Sequence, residues 1–464
     1  MGYTTEGRAL PLLVVGRVSD ASPEAVRRSG LTRIYIQANI HAGEVEGKEA
    51  ALVLLRDIAR GRRSAWLDSL VLLVAPIYNA DGNERVSLTN RPFQYGPVGG
   101  MGQRPNAQNF DLNRDHMKLE SPEARSQALL LARYDPHVAF DLHTTNGSIH
   151  AYHLTYAEPL HPATYRPIVE LLRNEWLPRV TENVRQRDGW EMFYYGNLPS
   201  SNVDRGGGGP ERGWYSFDYR PRFSNNYWGL RNRVGILSEA YSYASFEERI
   251  RATVRFVEES LDFARVHATR IRRLTVAADS QSIAGDSVPV RARLRRGGEI
   301  DVLLGEVRTE PHPYTGQPMR IRMDVKRPER MADFTTFEAT EYVRAPSGYL
   351  VPDSLTAALE RLRAHGISMR RMQHGASSVE RFRIDSTFTQ PREFQGHRER
   401  TVTGAWESDS AGTPAGHWLV PVDQPLGRLV VLLLEPRSDD GLANWNVFDP
   451  GIERVRYYPV RRVH

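Results

Sequence analysis

The stretch RIYIQANIHAGEVEGKEAALVLLRDIAR, residues 33–60, decides the fold class. Residues 33–40 form a short apolar run of strand length. Through 46–60, Ala50, Ala51, Val53, Leu54, Leu55 and Ile58 recur at helical spacing. The same alternation repeats outward: strands are expected at 70–76, 137–143 and 234–239, and helices at 122–134, 165–187 and 246–271. Strands and helices alternating in this way predict an α/β domain over 1–270, with a mixed, mostly parallel sheet and helices on both faces. A ligand site in such a domain lies at the carboxyl ends of the strands.

Beyond residue 270 the texture changes to period-2 segments at 288–294, 300–307 and 320–325, with one helix at 353–365 and a strongly apolar strand at 429–434. Residues 271–464 are read as a β-rich accessory domain. No internal repeat is visible, and Gly206–Gly209 reads as a mobile loop.

Composition excludes several functions. The chain has 464 residues and no cysteine, so a disulfide scaffold, a thiolate metal centre and a cysteine nucleophile are ruled out. Any metal must be held by histidine and carboxylate. The net charge of +5 comes from 61 Lys+Arg against 56 Asp+Glu. Only Lys48, Lys118 and Lys326 are lysines, and the charges are interleaved along the chain. That is an arginine-biased composition, and no nucleic-acid partner is expected. No apolar run approaches the ~18 residues of a membrane helix, so no membrane span is expected. The first 30 residues lack the basic and apolar regions of a secretory signal.

The chemistry concentrates at predicted strand ends. His41 ends one strand and Glu44 lies three residues on, at a turn into a helix, so both can face one ion. Taken alone, HxxE also fits a solvated helix start with Glu44 favouring the helix dipole. His143 ends another strand in FDLHTT, with Asp141 on the same strand face. Three ligands from two strand ends, leaving one position open, match a catalytic zinc site of the His₂Glu type. In RPNAQNFDLNRD, Asn113 and Arg114 supply an amide and a planar fork that can grip a carboxylate. Arg104 is a further cation for a developing oxyanion. Asp111 and Arg114 alone would also suit a surface ion pair. Glu239 ends an apolar strand, where a carboxylate is costly unless paired or functional.

The order and spacing of these motifs resemble the zinc carboxypeptidase family, the carboxypeptidase A-like metallopeptidases. That family runs HxxE, an N-x-D-G turn, an Arg, D-x-N-R, a lone His after a strand, a Tyr, and a Glu on a late strand. Here stand His41 and Glu44, NADG at 79–82, Arg104, then Asp111, Asn113 and Arg114, then His143 and Glu239. The likeness covers about residues 4–265.

The resemblance implies that His41, Glu44 and His143 bind one Zn²⁺ per chain, with Glu239 as general base toward the activated water. Arg104 would stabilise the oxyanion, and Asn113 and Arg114 would hold the substrate's terminal carboxylate. Asp111 would orient a ligand histidine. For the family's substrate-side tyrosine, Tyr227 is preferred over Tyr219. Two features depart from the pattern. Gly43 stands where digestive members carry a substrate-binding arginine. The loop at 212–233 has Asp218 as its only acid, so Arg220, Arg222 or Arg231 would favour an acidic or extended substrate. His150, His153, Asp439 and Asp440 read as surface turns ahead of a second metal site. The C-terminal segment resembles the tail of large bacterial members.

The function implied is a zinc-dependent peptidase cutting the C-terminal bond of peptides that carry a free carboxylate. An amidase of cell-wall peptides or N-acyl amino acids would use the same clamp. An inactive peptide-binding protein would keep the fold, although such relatives usually lose a ligand or the base. Related enzymes are commonly periplasmic or secreted.

Overall fold

A computed structural model describes residues 1–199, 211–375, 378–412, 415–449, 452 and 455–464. The expected loop at Gly206–Gly209 lies outside them. The centre is a seven-stranded sheet built from β1 (Leu13–Val15), β2 (Thr32–Ala38), β3 (Leu70–Ala75), β4 (Val138–Thr144), β5 (Leu154–Ala157), β6 (Met192–Tyr194) and β7 (Val234–Ala240). Their spatial order is β1-β3-β2-β4-β7-β5-β6. The four central strands, β3, β2, β4 and β7, are mutually parallel. β1 runs antiparallel to β3 and β5 antiparallel to β7, so the sheet is mixed.

β2, β3 and β4 are buried along their whole length, which explains their nearly continuous apolar sequences: both faces are covered. On one face Ile34, Leu72, Phe140 and Ile236 pack with Leu54 and Ile58 of helix Glu46–Ala59 and Phe256 and Leu261 of helix Phe246–Val266. On the other, Tyr35, Leu73 and Ala139 meet Leu130 and Leu131 of helix Pro122–Tyr134 and Trp228 of helix Ser224–Leu230. Each such fully buried side chain contributes about 1.5–3 kcal/mol.

The second face continues into the rest of the chain. The cluster holding Tyr35 also holds Tyr349, Leu429–Leu434, Trp445 and Val460. Strand Gly213–Tyr215 pairs with strand Arg327–Phe334. The change near residue 270 is therefore one of texture, and the core is shared across it. A six-stranded sheet of strands between residues 348 and 463 stands in this later region, with helix Thr356–Ala364 packed in the same core.

Three expected elements differ. Residues 429–434 belong to a helix, Gly427–Leu434, and not to a strand: a run apolar on every side has no periodicity to report, and here every face is buried. The helix expected at 165–187 carries a π-helical turn at Leu172–Trp176. The long helix expected to 271 ends at Val266, and a second, Ala268–Asp279, starts after His267. No helix among the described residues is long and apolar enough to cross a membrane.

Candidate active site

The sheet brings the predicted donors to one end. β4 and β7 run parallel with Glu239 directly beside His143, so both side chains leave adjacent strands on the same face. β2 leaves the sheet at Asn39, whose φ of +64° turns the chain toward His41, a conformation asparagine tolerates. The Asn39 amide donates to Ala42 O, and Glu44 N to His41 O, closing the turn. The NADG segment locks this corner. Asn79 accepts from Gly82 N and donates to Ile40 O and Arg104 O, tying the exit of β2 to the backbone that carries Arg104.

His41, Glu44 and His143 offer three buried donor atoms lying within 4.8 Å of one another. Both histidines use Nδ1: His41 Nδ1 is 3.0 Å from Glu44 Oε1 and His143 Nδ1 is 2.8 Å from Glu44 Oε2. The opposite ring nitrogens face carboxylates, His41 Nε2 at 2.9 Å from Asp111 and His143 Nε2 at 2.8 Å from Asp141. A carboxylate behind each imidazole fixes the ring and its tautomer and makes the facing nitrogen a better donor. Asp141 was not singled out for this role from sequence, although its shared strand face with His143 was the signal.

The electrostatics favour a cation among these donors. Burial opposes charge on His143, yet Asp141 and Glu44 outweigh it and raise its pKa well above the normal value. Burial also works against charge on Glu44, but His41, Arg91 and His143 hold it well below the carboxylate range. Asp111 behaves likewise: against burial, Arg104, Arg114 and His41 hold it well below that range.

Glu239 is the exception. Burial pushes its pKa up to about 8, opposed by His143 and reinforced by Glu44. Its Oε2 is buried with no hydrogen-bond partner. Burial and Glu44 thus raise the proton affinity of a carboxyl that stands beside three donors, which suits it to proton transfer.

Arg104 donates to Asp111 Oδ2 through both Nε (3.1 Å) and Nη2 (2.7 Å), and its Nη1 comes within 3.7 Å of Glu44. Its side chain is 42% exposed, so it can also meet a ligand. Asn113 and Arg114 lie on one short helical turn, Leu112–Arg114, capped by Asp111. Asn113 accepts from Ser224 N at 2.9 Å, leaving its amide nitrogen toward His143 at 3.5 Å. The Arg114 guanidinium lies 4.0 Å over Phe223.

Tyr227 does not belong to this face. It is fully buried and stacked on His116, and its hydroxyl lies between His365 Nδ1 (2.8 Å) and Arg231 (3.1 Å). Helix Ser224–Leu230, buried along its whole length, seats the ring in the shared core. Tyr219 donates to Asp439 at 2.5 Å and is likewise committed. The tyrosine that does sense the site is Tyr195, just past β6: burial and the charges of Glu239 and Glu44 all raise its pKa. Nothing in its local sequence marked it.

The loop arginines are also engaged internally. Arg220 pairs with Asp218, Arg222 with Asp440 and Glu399, and Arg231 with His365 O. They are not the free cations expected for an acidic substrate. Asp440, His150 and His153 are buried and so are not surface residues, whereas Asp439 lies in a partly exposed turn and is bonded to Tyr219. The later region also reaches the site itself: Asp111 N donates to Gln395 Oε1 at 2.8 Å.

Residues 1–155 match the zinc carboxypeptidase family model. Carboxypeptidase 2 of Trichophyton tonsurans is 24% identical over 99% of this chain and 81% of its own length, and that of Trichophyton rubrum is 23% identical with the same coverage. Similar solved structures include a metallo-carboxypeptidase from Burkholderia cenocepacia (16% identity, TM-score 0.39, 57% of this chain and 63% of that one). Another is a metallo-carboxypeptidase from Pseudomonas aeruginosa in complex with (2-guanidinoethylmercapto)succinic acid (19%, 0.40, 58% and 64%). The chain spans less than two thirds of each of these two solved proteins.

Proposed function

We propose that the chain is an enzyme of the zinc carboxypeptidase family that hydrolyses the C-terminal bond of peptides, with one Zn²⁺ held by His41, Glu44 and His143. The observation that carries this reading is the buried His-Glu-His group with Glu239 beside His143 on the next strand. The donor set suits the ion: two imidazoles, each backed by a carboxylate, and one carboxylate are a common zinc set, and no thiolate is needed. When bound, Zn²⁺ supplies Lewis acidity that polarises the scissile carbonyl and makes water a stronger acid.

The remaining work falls to the protein. Glu239 takes a proton from the attacking water and passes it to the leaving amine, a role its upward-shifted pKa of about 8 suits. Arg104 faces the carbonyl oxygen as it gains charge, held in place by Asp111. Asn113 Nδ2 and Arg114 grip the terminal carboxylate, which places the last peptide bond over the donors. Asp111 and Asp141 keep His41 and His143 in the orientation that binding requires.

The test is release of the last residue from N-blocked dipeptides, with loss on chelation and return on adding Zn²⁺. Peptides with an amidated C-terminus should be cut at least about ten times more slowly, the scale of one lost charge-assisted contact. Activity that survives chelation defeats the metal reading, and equal rates on acids and amides defeat the clamp. Faster turnover of N-acyl amino acids or cell-wall peptides than of ordinary dipeptides would move the activity to the amidase class.

A further inference from the structure

Each histidine in the donor group has a carboxylate behind it. The third donor, Glu44, has a partner of the opposite sign that no motif pointed to. Arg91 Nη2 donates to Glu44 Oε1 at 2.6 Å, on the oxygen that also faces His41. The other oxygen, Oε2, receives Thr144 N at 3.1 Å and faces His143. The carboxylate plane is thus held at both ends, by a strand amide on one side and a guanidinium on the other.

Three further features show that the contact is built in. Arg91 adopts φ of +57°, a left-handed conformation that costs a non-glycine residue about 1 kcal/mol and persists only where surroundings enforce it. The segment carrying it is clasped at its base, where Ser87 and Met101 exchange backbone hydrogen bonds at 3.0 and 3.2 Å. Position 43 is shaped to receive the side chain. A Cβ on Gly43 would stand 3.1 Å from Arg91 Cγ and Nε and 2.7 Å from Gly102 O. Glycine at 43, read from sequence as a loss of a side chain, is the space through which Arg91 reaches Glu44.

We propose that Arg91 is the positioning residue of the metal-ligand carboxylate, bracing Glu44 as Asp111 and Asp141 brace His41 and His143. This rests on the reading of His41, Glu44 and His143 as a zinc site. A cation beside a dication is a Coulomb cost. Its presence is explained if fixing the carboxylate returns more than the repulsion takes away, and the sign of one measurement separates the two terms. Arg91 side-chain exposure is 17%, so most of its surface is spent on this contact and little is left for a ligand.

The experiment is the zinc dissociation constant of the full chain, by competition with a chromogenic chelator, for wild type, Arg91→Ala and Arg91→Lys. Bracing partners of metal ligands typically account for about 10–100-fold in affinity, so Arg91→Ala should weaken zinc binding by that range. Arg91→Lys, which keeps the charge without the planar fork, should recover part of it. At saturating zinc the KM of Arg91→Ala should stay within about twofold of wild type, because the residue acts through Glu44 and not on substrate. The thermal midpoint of the metal-free protein should be unchanged within a few degrees, since the loop contributes no core. Unchanged or tighter zinc binding in Arg91→Ala overturns the proposal. So does a raised KM with unchanged zinc affinity, which would make Arg91 a substrate contact. A wild-type chain that binds no zinc defeats the zinc reading itself, and this inference with it.

Discussion

The two walls of the site are constructed differently. On the wall proposed to hold the metal, His143 and Glu239 stand on adjacent strands with fixed register, and His41 and Glu44 on the turn that leaves a third. Their positions follow from a backbone ladder buried on both faces. On the wall proposed to face substrate, Arg104, Asn113 and Arg114 sit on an irregular segment between residues 85 and 121. That segment is held by residues far away in sequence: Ser224 N on Asn113, Phe223 under Arg114, and Gln395 on Asp111 N. Strand register sets the backbone of the first wall, with Arg91 and Asp111 holding its side chains from the 85–121 segment, whereas the second takes its props from the late helix Ser224–Leu230 and from the region after 270. Substitutions on the first wall should therefore remove chemistry outright. Those on the second should grade from large, at groups that touch substrate, to small, at the props.

The largest effect is expected at the metal-facing wall. Glu239→Gln keeps the shape and the three donors but removes the proton acceptor. The kcat should fall about 10²–10⁴-fold while zinc content stays at one per chain. Full activity in this variant would remove Glu239 from the mechanism and, with it, the distinction between the walls.

Arg104→Ala tests the other wall at its most consequential point. Loss of a group that meets the developing oxyanion typically reduces kcat about 10²–10³-fold. The same variant should move the acid limb of the pH–rate profile. Arg104 is among the charges that hold down the pKa of Glu239, which burial otherwise pushes up to about 8. Without that cation the base binds its proton more tightly, so activity should be lost at a higher pH as the medium is acidified. Bound zinc would lower the limb in both proteins, so the comparison is made at saturating zinc. A limb displaced to lower pH would show that Arg104 does not sense Glu239.

The same contrast explains what could be read from the sequence. His41, Glu44, His143 and Glu239 became candidates because strand ends are visible as the points where short apolar runs stop, and motif order then selected the metal reading over a solvated helix start. Arg104, Asn113 and Arg114 were candidates by their chemistry, and motif order singled them out from an ordinary surface ion pair. The bracing residues were not: Arg91 reaches Glu44 across 47 positions and Gln395 reaches Asp111 across 284, and no periodicity connects such pairs. Tyr227 failed for a related reason. An aromatic in an Arg-rich loop looks like a surface residue until a second region, invisible in the local pattern, folds over it and supplies His365. The misread strand at 429–434 has the same origin, since a helix covered on every side by the shared core has no polar face to reveal its period.

The smallest effect should come from the prop that reaches farthest. Gln395 adopts φ of +53°, a strained conformation for a residue with a side chain, and from there its Oε1 accepts from the backbone of Asp111. Asp111 in turn holds both His41 and Arg104. Gln395→Ala leaves Asp111 N without this acceptor. A single neutral hydrogen bond is worth about 0.5–1.5 kcal/mol, so kcat/KM should fall about 2–12-fold, with zinc affinity altered less than in Arg91→Ala. Gln395→Glu, which retains the acceptor, should lie nearer wild type, although its charge sits close to Asp111. A loss in Gln395→Ala as deep as that of Arg104→Ala would mean that the region after 270 shapes the site as strongly as the strands do. No change would mean that the second wall stands without it, and that the contact serves only to seat the accessory region on the sheet.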